Sequence, residues 1–217
     1  MSRSFEQEYW SKQLSSGLTQ MELTLSSEQQ RKLLDYLLLL EKWNKSYNLT
    51  AIRDPANMVS RQLLDSLSVL PLLHGRRILD VGTGPGLPGV PLAVARPDLG
   101  FTLLDSNGKK CRFIEQAKIE LKLNNLMVVR GRVERYAPAT PFDTVLSRAF
   151  ASLPEMLNLS SHLVASDGYV LAMKGALHQA ELDAATERCA GLEIHSLKVP
   201  DTIGERHVIL CRSNSWQ

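Results

Sequence analysis

The sequence predicts an α/β fold in which a helical extension precedes a seven-stranded, mainly parallel sheet whose last strand is antiparallel. Apolar residues keep helical spacing up to about residue 75, whereas short apolar runs alternate with amphipathic segments from Arg76 onward. This alternation is typical of right-handed crossovers in a parallel sheet covered by helices on both faces. The last two runs are joined only by PDTIGE, which is too short for a crossover helix.

The N-terminal extension, residues 1–75, is predicted to hold at least two helices. The segment Leu25–Glu28 offers a cap before QQRKLLDYLLLLEKW, whose leucines form a broad apolar stripe. A second helix is expected to begin after Asp54-Pro55 and to cover PANMVSRQLLDSLSVLPLL. The turn signal at His74-Gly75 ends the extension, and residues 76–217 are predicted to form the sheet domain.

Seven strands are predicted in the sheet domain, and helical segments are expected between the first six. The last two strands are expected to pair as a hairpin, which makes the final strand antiparallel. The seven runs are RILDVG, FTLLD, LMVVR, FDTVLSR, GYVLAMKG, LEIHSLKV and RHVILCR.

The composition is that of a soluble globular protein, with 44% hydrophobic and 22% charged residues. No apolar run is long enough to span a bilayer. The N-terminus, MSRSFEQEYW, has acids where an export signal would have an apolar core. Three widely spaced cysteines, Cys111, Cys189 and Cys211, predict free thiols, no disulfide framework and no metal site. These features predict a cytoplasmic protein.

Positive charge is concentrated in residues 107–135, which hold eight Lys and Arg against three acids, although the whole chain has a net charge of only +2. A local basic segment of this kind favours an anionic polymer as partner. Lys109, Lys110 and Arg112 are the candidate contacts. A solvated helix face is the alternative interpretation.

The stretch ILDVGTGPGLPG, Ile78–Gly89, fits two cofactor signatures. From Gly84 it fits the G-x-G-x-x-G of dinucleotide folds. From Asp80 it shows an acid followed by alternating glycines, as in S-adenosylmethionine (SAM) sites. Glycines between a strand and a helix let the backbone approach a ligand closely. Asp105, at the end of the second strand, suits the ribose hydroxyls of either cofactor.

Three features favour SAM. The Asp80 carboxylate suits the sulfonium and ammonium of SAM, whereas it would repel a pyrophosphate. Pro85 and Pro88 have no N–H group to donate to a phosphate. No second domain remains to hold the substrate of a dinucleotide oxidoreductase. That oxidoreductase, and a glycine turn without a ligand, are the remaining alternatives.

Several segments together make the chain similar to the bacterial 16S rRNA guanine-N7 methyltransferases, also called glucose-inhibited division protein B. The resemblance implies a class I SAM-dependent fold and methylation of N7 of the guanine conventionally numbered 527. The implied partner is 16S rRNA or the small ribosomal subunit, without a membrane, and the chain is expected to be a monomer. The segments are KWNKSYNLTAI, RQLLDSL, DVGTGPGLPG, LLDS, RVE, SRAFASL, Lys174-Gly175 and GERH.

The resemblance also implies a set of SAM-binding residues. Gly82 and Leu87 would contact SAM, Val133 and Glu134 would flank its adenine, and Arg148 would complete the site. Asp105 follows from the general class I pattern. With the other loop residues, the predicted set is Asp80, Gly82, Gly84, Gly86, Leu87, Asp105, Val133, Glu134 and Arg148.

One position departs from the family pattern. The chain has Gln62 where the family usually has His in RQLLDSL. A proton-transfer role for that His therefore has no counterpart here, and Asp65 and Ser66 become the firmer members of the motif.

The chemistry of the target atom agrees with guanine N7. Leu146–Phe150 lacks the Asn/Asp-Pro-Pro-aromatic motif expected for an exocyclic amine, and methylation at a pyrimidine C5 needs a cysteine nucleophile. Guanine N7 has a lone pair and no proton to lose, so its methylation depends on positioning and electrostatics. No catalytic residue is assigned, and the candidates are Arg148 and Lys174.

Lys174 also leaves an alternative open. It lies at the end of the fifth strand, where ligand sites of parallel sheets occur, and is a candidate RNA contact. As a general base it would instead support ribose 2′-O methylation. A SAM-responsive RNA-binding module without catalysis is the other alternative.

Overall fold

The computed structural model describes residues 3–148, 151–189 and 191–215, and it contains the seven predicted strands in one sheet. The strand order is β3-β2-β1-β4-β5-β7-β6. The strands are β1 Arg77–Val81, β2 Gly100–Asp105, β3 Leu126–Arg130, β4 Phe142–Arg148, β5 Val164–Lys174, β6 Leu192–Ser196 and β7 His207–Arg212.

Strands β1 to β5 are mutually parallel, whereas β7 is antiparallel to both β5 and β6. The predicted final hairpin and antiparallel last strand are therefore confirmed. Because Lys174 pairs with His207, the start of β7 lies at the edge where β1 to β5 end. Side chains at the carboxyl ends of β1 to β5 and at the start of β7 therefore lie along one edge of the sheet.

Seven α-helices surround the sheet in the described part of the chain. One predicted helix is wrong, because β3 and β4 are joined only by the 3-10 turn Val133–Arg135. That connection contains Pro138 and Pro141, which disfavour a longer helix. The helices are α1 Arg3–Gln20, α2 Ser27–Tyr47, α3 Asp65–Leu67, α4 Gly89–Ala95, α5 Gly108–Leu121, α6 Leu153–Ser160 and α7 Gln179–Thr186.

Helix α2 begins at the predicted cap. The Ser26 hydroxyl accepts a hydrogen bond from the Gln29 N–H at 3.2 Å, and the Gln29 side chain accepts one from the Ser26 N–H at 2.8 Å. This reciprocal pair satisfies two N–H groups that a helix start leaves unpaired. In its leucine stripe, Leu33 and Leu37 are fully buried, and Leu34 and Leu38 are partly buried against the same core.

The segment after Asp54 is irregular, although its apolar spacing predicts a regular helix. A 3-10 turn, Pro55–Asn57, is followed by a π-helical turn, Val59–Leu64, and then by α3. Hydroxyl groups compete for the backbone here, because Ser66 Oγ donates to the Gln62 carbonyl and Ser68 Oγ donates to the Asp65 carbonyl. Single π turns are frequent at functional sites.

The core has two halves, one on each face of the sheet. Along β1 and β2, successive side chains alternate between them, as strand geometry requires. Helices α1, α2, α4 and α5 cover one face around Trp10 and Phe113, and α6 and α7 cover the other around Leu157. The N-terminal helices therefore share one continuous core with α4 and α5.

The cysteine prediction is wrong for two of the three residues. Cys189, just after α7, forms a disulfide with Cys211 in β7, with 6.1 Å between their Cα atoms, whereas Cys111 is free and buried. The pair is 22 residues apart in sequence, and the two cysteines meet in the half of the core to which both α7 and β7 contribute. Spacing along the chain carries no signal for such a contact. In the part of the chain described, no helix has both the length and the apolar character needed to cross a membrane.

Candidate active site

The glycine loop between β1 and α4 is organised by Asp80, whose side chain is fully buried. Its Oδ2 accepts hydrogen bonds from Thr83 Oγ1 at 2.6 Å and from the Gly89 N–H at 2.8 Å. Burial raises the pKa of Asp80 to about 7, against the lowering effect of these two hydrogen bonds. Asp80 thus ties both ends of the loop to the strand.

Glycine is required at the centre of this loop. Gly82, Gly84 and Gly86 have φ angles of 66°, 63° and 96°, which side chains rarely allow. A Cβ on Gly86 would lie 2.5 Å from Val90 Cγ2. The loop is also fixed from outside, because the buried Tyr36 hydroxyl of α2 donates to the Pro85 carbonyl at 2.9 Å.

Asp105 joins the glycine loop to the start of α5. Its Oδ2 accepts from the Gly84 N–H at 2.9 Å, and its Oδ1 accepts from the Asn107 N–H at 2.7 Å. The Lys110 Nζ lies 4.0 Å from Oδ2. The carboxylate is therefore held at the end of β2 before any ligand arrives.

A first cavity of about 410 Å³ lies at the carboxyl ends of β1, β2 and β3. Four predicted SAM residues line it, namely Gly82, Asp105, Val133 and Glu134. The other predicted residues, Asp80, Gly84, Gly86, Leu87 and Arg148, lie outside the lining. The lining also contains Ser106 and Arg132, which lie in the family-like segments LLDS and RVE but are not among the predicted site residues. No sequence pattern indicated Gly131, Glu155 or Leu159, and Lys110 is predicted only as an RNA contact.

The lining of the first cavity fits SAM. Its volume falls within the range of about 300–1,000 Å³ that is typical of small-molecule sites. The carboxylates of Asp105 and Glu134 can accept hydrogen bonds from ribose hydroxyls or an adenine amine, and Val133 offers an apolar contact for a base. The open backbone of Gly82 allows close approach of a ligand.

A second cavity of about 360 Å³ lies beside the first, at the ends of β4 and β5 and the start of β7. Arg148 and Lys174 line it, together with Arg61, Asp65 and Arg206. Asp65 Oδ2 accepts from Arg148 at 2.9 Å, and Asp65 Oδ1 accepts from the Nε of Arg206 at 3.1 Å. Arg61 and Arg206 lie in the family-like segments RQLLDSL and GERH, but the sequence analysis assigns neither of them a role in the site.

Gln62 lies next to the ion-pair cluster of Asp65, Arg148 and Arg206. Its side chain is fully buried, donates to Thr50 Oγ1 at 3.0 Å and accepts from Arg148 at 3.4 Å. A side-chain amide provides both a hydrogen-bond donor and an acceptor, as a neutral imidazole also does. Gln62 therefore supports the arginine without any change of protonation.

One contact joins the walls of the two cavities directly, and a second joins the neighbouring strands β4 and β1. Ser147 Oγ donates to the carbonyl of Val81, and Lys174 Nζ donates to the carbonyl of Ala151 at 3.0 Å. Val81 and Ala151 line the first cavity, whereas Lys174 lines the second. Ala149 and Phe150 of the SRAFASL segment lie outside the described residues.

Comparison with known proteins decides the family. Residues 29–209 match the family described as rRNA small subunit methyltransferase G. A protein of that name from Stutzerimonas stutzeri is 52% identical over 94% of this chain and 95% of its own length. Another, from Alteromonas mediterranea, is 50% identical over 90% of this chain and 93% of its own.

The chain belongs to this family. Solved structures agree on the fold. A SAM-dependent methyltransferase from Aquifex aeolicus superimposes with a TM-score of 0.55, at 16% identity, over 73% of this chain and 93% of its own. Fibrillarin from Aeropyrum pernix, solved with natively bound SAM, gives 0.54 at 16% identity, over 70% and 75%. Family and fold confirm the predicted class, a methyltransferase that uses SAM.

The predicted basic contacts divide between two environments in this family member. Lys109 and Arg112 are exposed at the start of α5, whereas Lys110 is half-buried and lines the first cavity. Within the described ranges, no group of three or more His, Cys, Asp or Glu could hold a metal ion.

Proposed function

We propose that this methyltransferase transfers the methyl group of SAM to N7 of a guanine in 16S rRNA, the one conventionally numbered 527. The supporting observation is the pair of adjoining cavities at one sheet edge. The first carries the carboxylates of Asp105 and Glu134, which suit SAM. The second carries Arg148, Lys174 and Arg206, which suit an anionic nucleic acid.

In this proposal the residues of the first cavity hold SAM in a defined way. Asp105 takes the ribose hydroxyls, Val133 and Glu134 flank the adenine, and the backbone of Gly82 lies against the methionine part. Asp80, Gly84, Gly86 and Leu87 shape the loop behind it. When bound, SAM supplies a methyl group that passes to the N7 lone pair while the carbon–sulfur bonding electrons stay on sulfur.

The arrangement of possible bases and nucleophiles favours N7 over other target atoms. Lys174 already donates to Glu181 at 2.7 Å and to the Ala151 carbonyl, which is the geometry of an ammonium donor and not of a general base for a 2′-hydroxyl. Burial raises the pKa of the Cys111 thiol, and Asp105 adds to this, which disfavours a thiolate nucleophile. Guanine N7 needs neither group.

RNA is proposed to cross the carboxyl edge of the sheet, from Lys174 in the second cavity to Lys109 and Arg112 on α5. The chain is proposed to act as a monomer, because its large exposed apolar side chains lie on different elements and form no obvious interface. In the described part of the chain these side chains are Tyr9, Tyr47, Ile119, Met127, Ile194 and Ile203.

The direct test is transfer of a labelled methyl group from SAM to small ribosomal subunits and to naked 16S rRNA. We expect label at one guanine, and chain cleavage there by chemistry specific for N7-methylguanine. Label at a ribose 2′-oxygen would contradict the proposal. SAM binding without transfer to either substrate would indicate the non-catalytic RNA-binding module instead.

A further inference from the structure

The second cavity presents hydrogen-bond donors that nothing in the described chain occupies. Among the described residues, its lining contains the Lys and Arg side chains of Arg61, Arg148, Lys174 and Arg206 and the imidazole of His207, and Asp65 is its only acid. The Arg61 side chain is exposed and makes no ion pair or hydrogen bond within the described ranges. The second terminal nitrogen of Arg206 likewise has no acceptor there, since this residue uses Nε for Asp65 and its first terminal nitrogen for the Glu205 carbonyl.

Asp65 holds two of these arginines, which come from separate parts of the fold. Arg148 ends β4 and Arg206 precedes β7, and each donates to a different oxygen of the Asp65 carboxylate. The carboxylate is only 9% exposed, so solvent screens these ion pairs weakly. Arg148 is fixed further by the Arg61 carbonyl at 3.1 Å. The two guanidinium groups are therefore oriented before a ligand binds.

The residues that line the second cavity indicate the class of ligand. Guanidinium groups suit the oxygens of a phosphate, and here Arg206 offers its second terminal nitrogen while Arg61 offers its whole guanidinium group. Ile52, Met173 and Leu197 supply apolar wall, against which a planar base can lie. A single nucleotide has both parts, an anionic phosphate and an apolar ring face.

We propose that the second cavity receives the nucleotide to be methylated, with its phosphate against Arg61 and Arg206. In this arrangement Asp65 is a positioning residue that orients Arg148 and Arg206 and does not touch the reacting atoms. The nucleotide must leave its stack to enter, as bases do for other enzymes that modify them. This inference rests on the proposed function, because it assigns the substrate side of that same site.

The substitution Asp65→Asn distinguishes a positioning role from a simple charge effect, because the two predict opposite changes in RNA affinity. Removing a negative charge from a basic cavity should tighten RNA binding if Asp65 acts only as a charge. If Asp65 orients the guanidinium groups, the same substitution weakens binding. We expect the KM for small ribosomal subunits and the Kd for 16S rRNA to rise about tenfold or more, with the Kd for SAM nearly unchanged.

The matched control is Asp98→Asn. Asp98 also pairs with an arginine, accepting from Arg96 at 2.8 and 2.7 Å, but it lies before β2 at the opposite edge of the sheet. This control should leave both RNA constants unchanged. A lower or unchanged Kd for RNA in Asp65→Asn, with Asp98→Asn equal to the parent protein, would overturn the inference.

A second variant keeps the test decisive if Asp65→Asn does not fold. Arg206→Lys preserves the charge of a side chain that is 22% exposed but loses the planar group that Asp65 orients. It should also raise the Kd for RNA about tenfold, and a normal value would overturn the inference. Because Kd is measured without chemistry, these results stay separate from the proposed function, which fails only if the parent protein does not methylate guanine N7.

Discussion

Three buried aspartates at the carboxyl edge of the sheet differ in what surrounds them. Asp80 is enclosed by its own loop, Asp105 faces the first cavity, and Asp65 faces the second. Only Asp65 is paired with two arginines, whereas Asp80 accepts only neutral donors. The same residue type therefore has three different roles. Asp80 shapes a loop, Asp105 is proposed to bind SAM, and Asp65 is proposed to orient the arginines of the substrate site.

Asp105→Ala should weaken SAM binding. The substitution removes the proposed ribose acceptor and leaves the N–H groups of Gly84 and Asn107 without their partner. We expect the SAM dissociation constant to rise tenfold or more, on the order of 1–3 kcal/mol. Calorimetric titration checks this, with Asp98→Ala as the exposed control. Equal affinity in both variants would show that the ribose contact lies elsewhere.

Asp80 should make stability depend on pH in the direction opposite to an ion-paired carboxylate. Burial raises its pKa to about 7, so from about pH 4 to 7 the folded protein holds a proton there that the unfolded chain has released. This contribution to stability is fully present below about pH 4 and is lost as the pH rises through 7. The free energy of unfolding of the parent protein, relative to Asp80→Asn, should fall by on the order of 3 kcal/mol from pH 5 to pH 8. Urea unfolding without SAM at both pH values checks this, and parallel changes in the two proteins would contradict it.

At the scale of elements, α5 has two functions on opposite faces. One face packs Phe113, Ile114 and Ala117 into the core, and the other presents Lys109 and Arg112 to solvent. Its N-cap, Asn107, also donates its backbone N–H to Asp105. The helix therefore connects the proposed SAM and RNA contacts, and Lys110 belongs with the first cavity despite its basic neighbours.

The paired substitution of Lys109 and Arg112 by Ala should weaken RNA binding without affecting SAM. Each phosphate contact that is lost should flatten the dependence of log K on log salt concentration by about one unit. Filter binding across a salt series measures this slope. Replacing Lys118 and Lys122 at the other end of α5 changes the net charge equally and should leave the slope unchanged. Equal effects of the two pairs would favour the solvated-face interpretation.

On the scale of the whole molecule, the two cavities meet where the chain changes direction across the sheet. From β1 the chain continues to β2 and β3 on one side, and from β4 it continues to β5 and β7 on the other. Ligands of open α/β sheets bind at such switch points, outside the carboxyl ends of the strands. The N-terminal helices cover one face of the same sheet, and Tyr36 of α2 bonds directly to the glycine loop.

Local sequence patterns were sufficient for the seven strands, the final hairpin, the α2 cap and the glycine loop with Asp105. These features depend on side-chain periodicity, turn residues and connection length, which act over a few neighbouring residues. Local patterns failed at the π-helical turn after Asp54 and at the short connection from β3 to β4. There, hydroxyl groups or prolines compete with a regular helix.

The tertiary structure alone decided which distant residues meet. Arg148 and Arg206 lie 83 and 141 positions from Asp65, and nothing in their local sequence predicts that the three form an ion-pair cluster. The sequence also did not predict the Cys189–Cys211 disulfide. Nor did it predict that Lys110 lines the first cavity while Lys109 is exposed at the surface. Such contacts depend on how the strands are ordered and how the helices pack, because burial and pairing are set by neighbours in space and not along the chain.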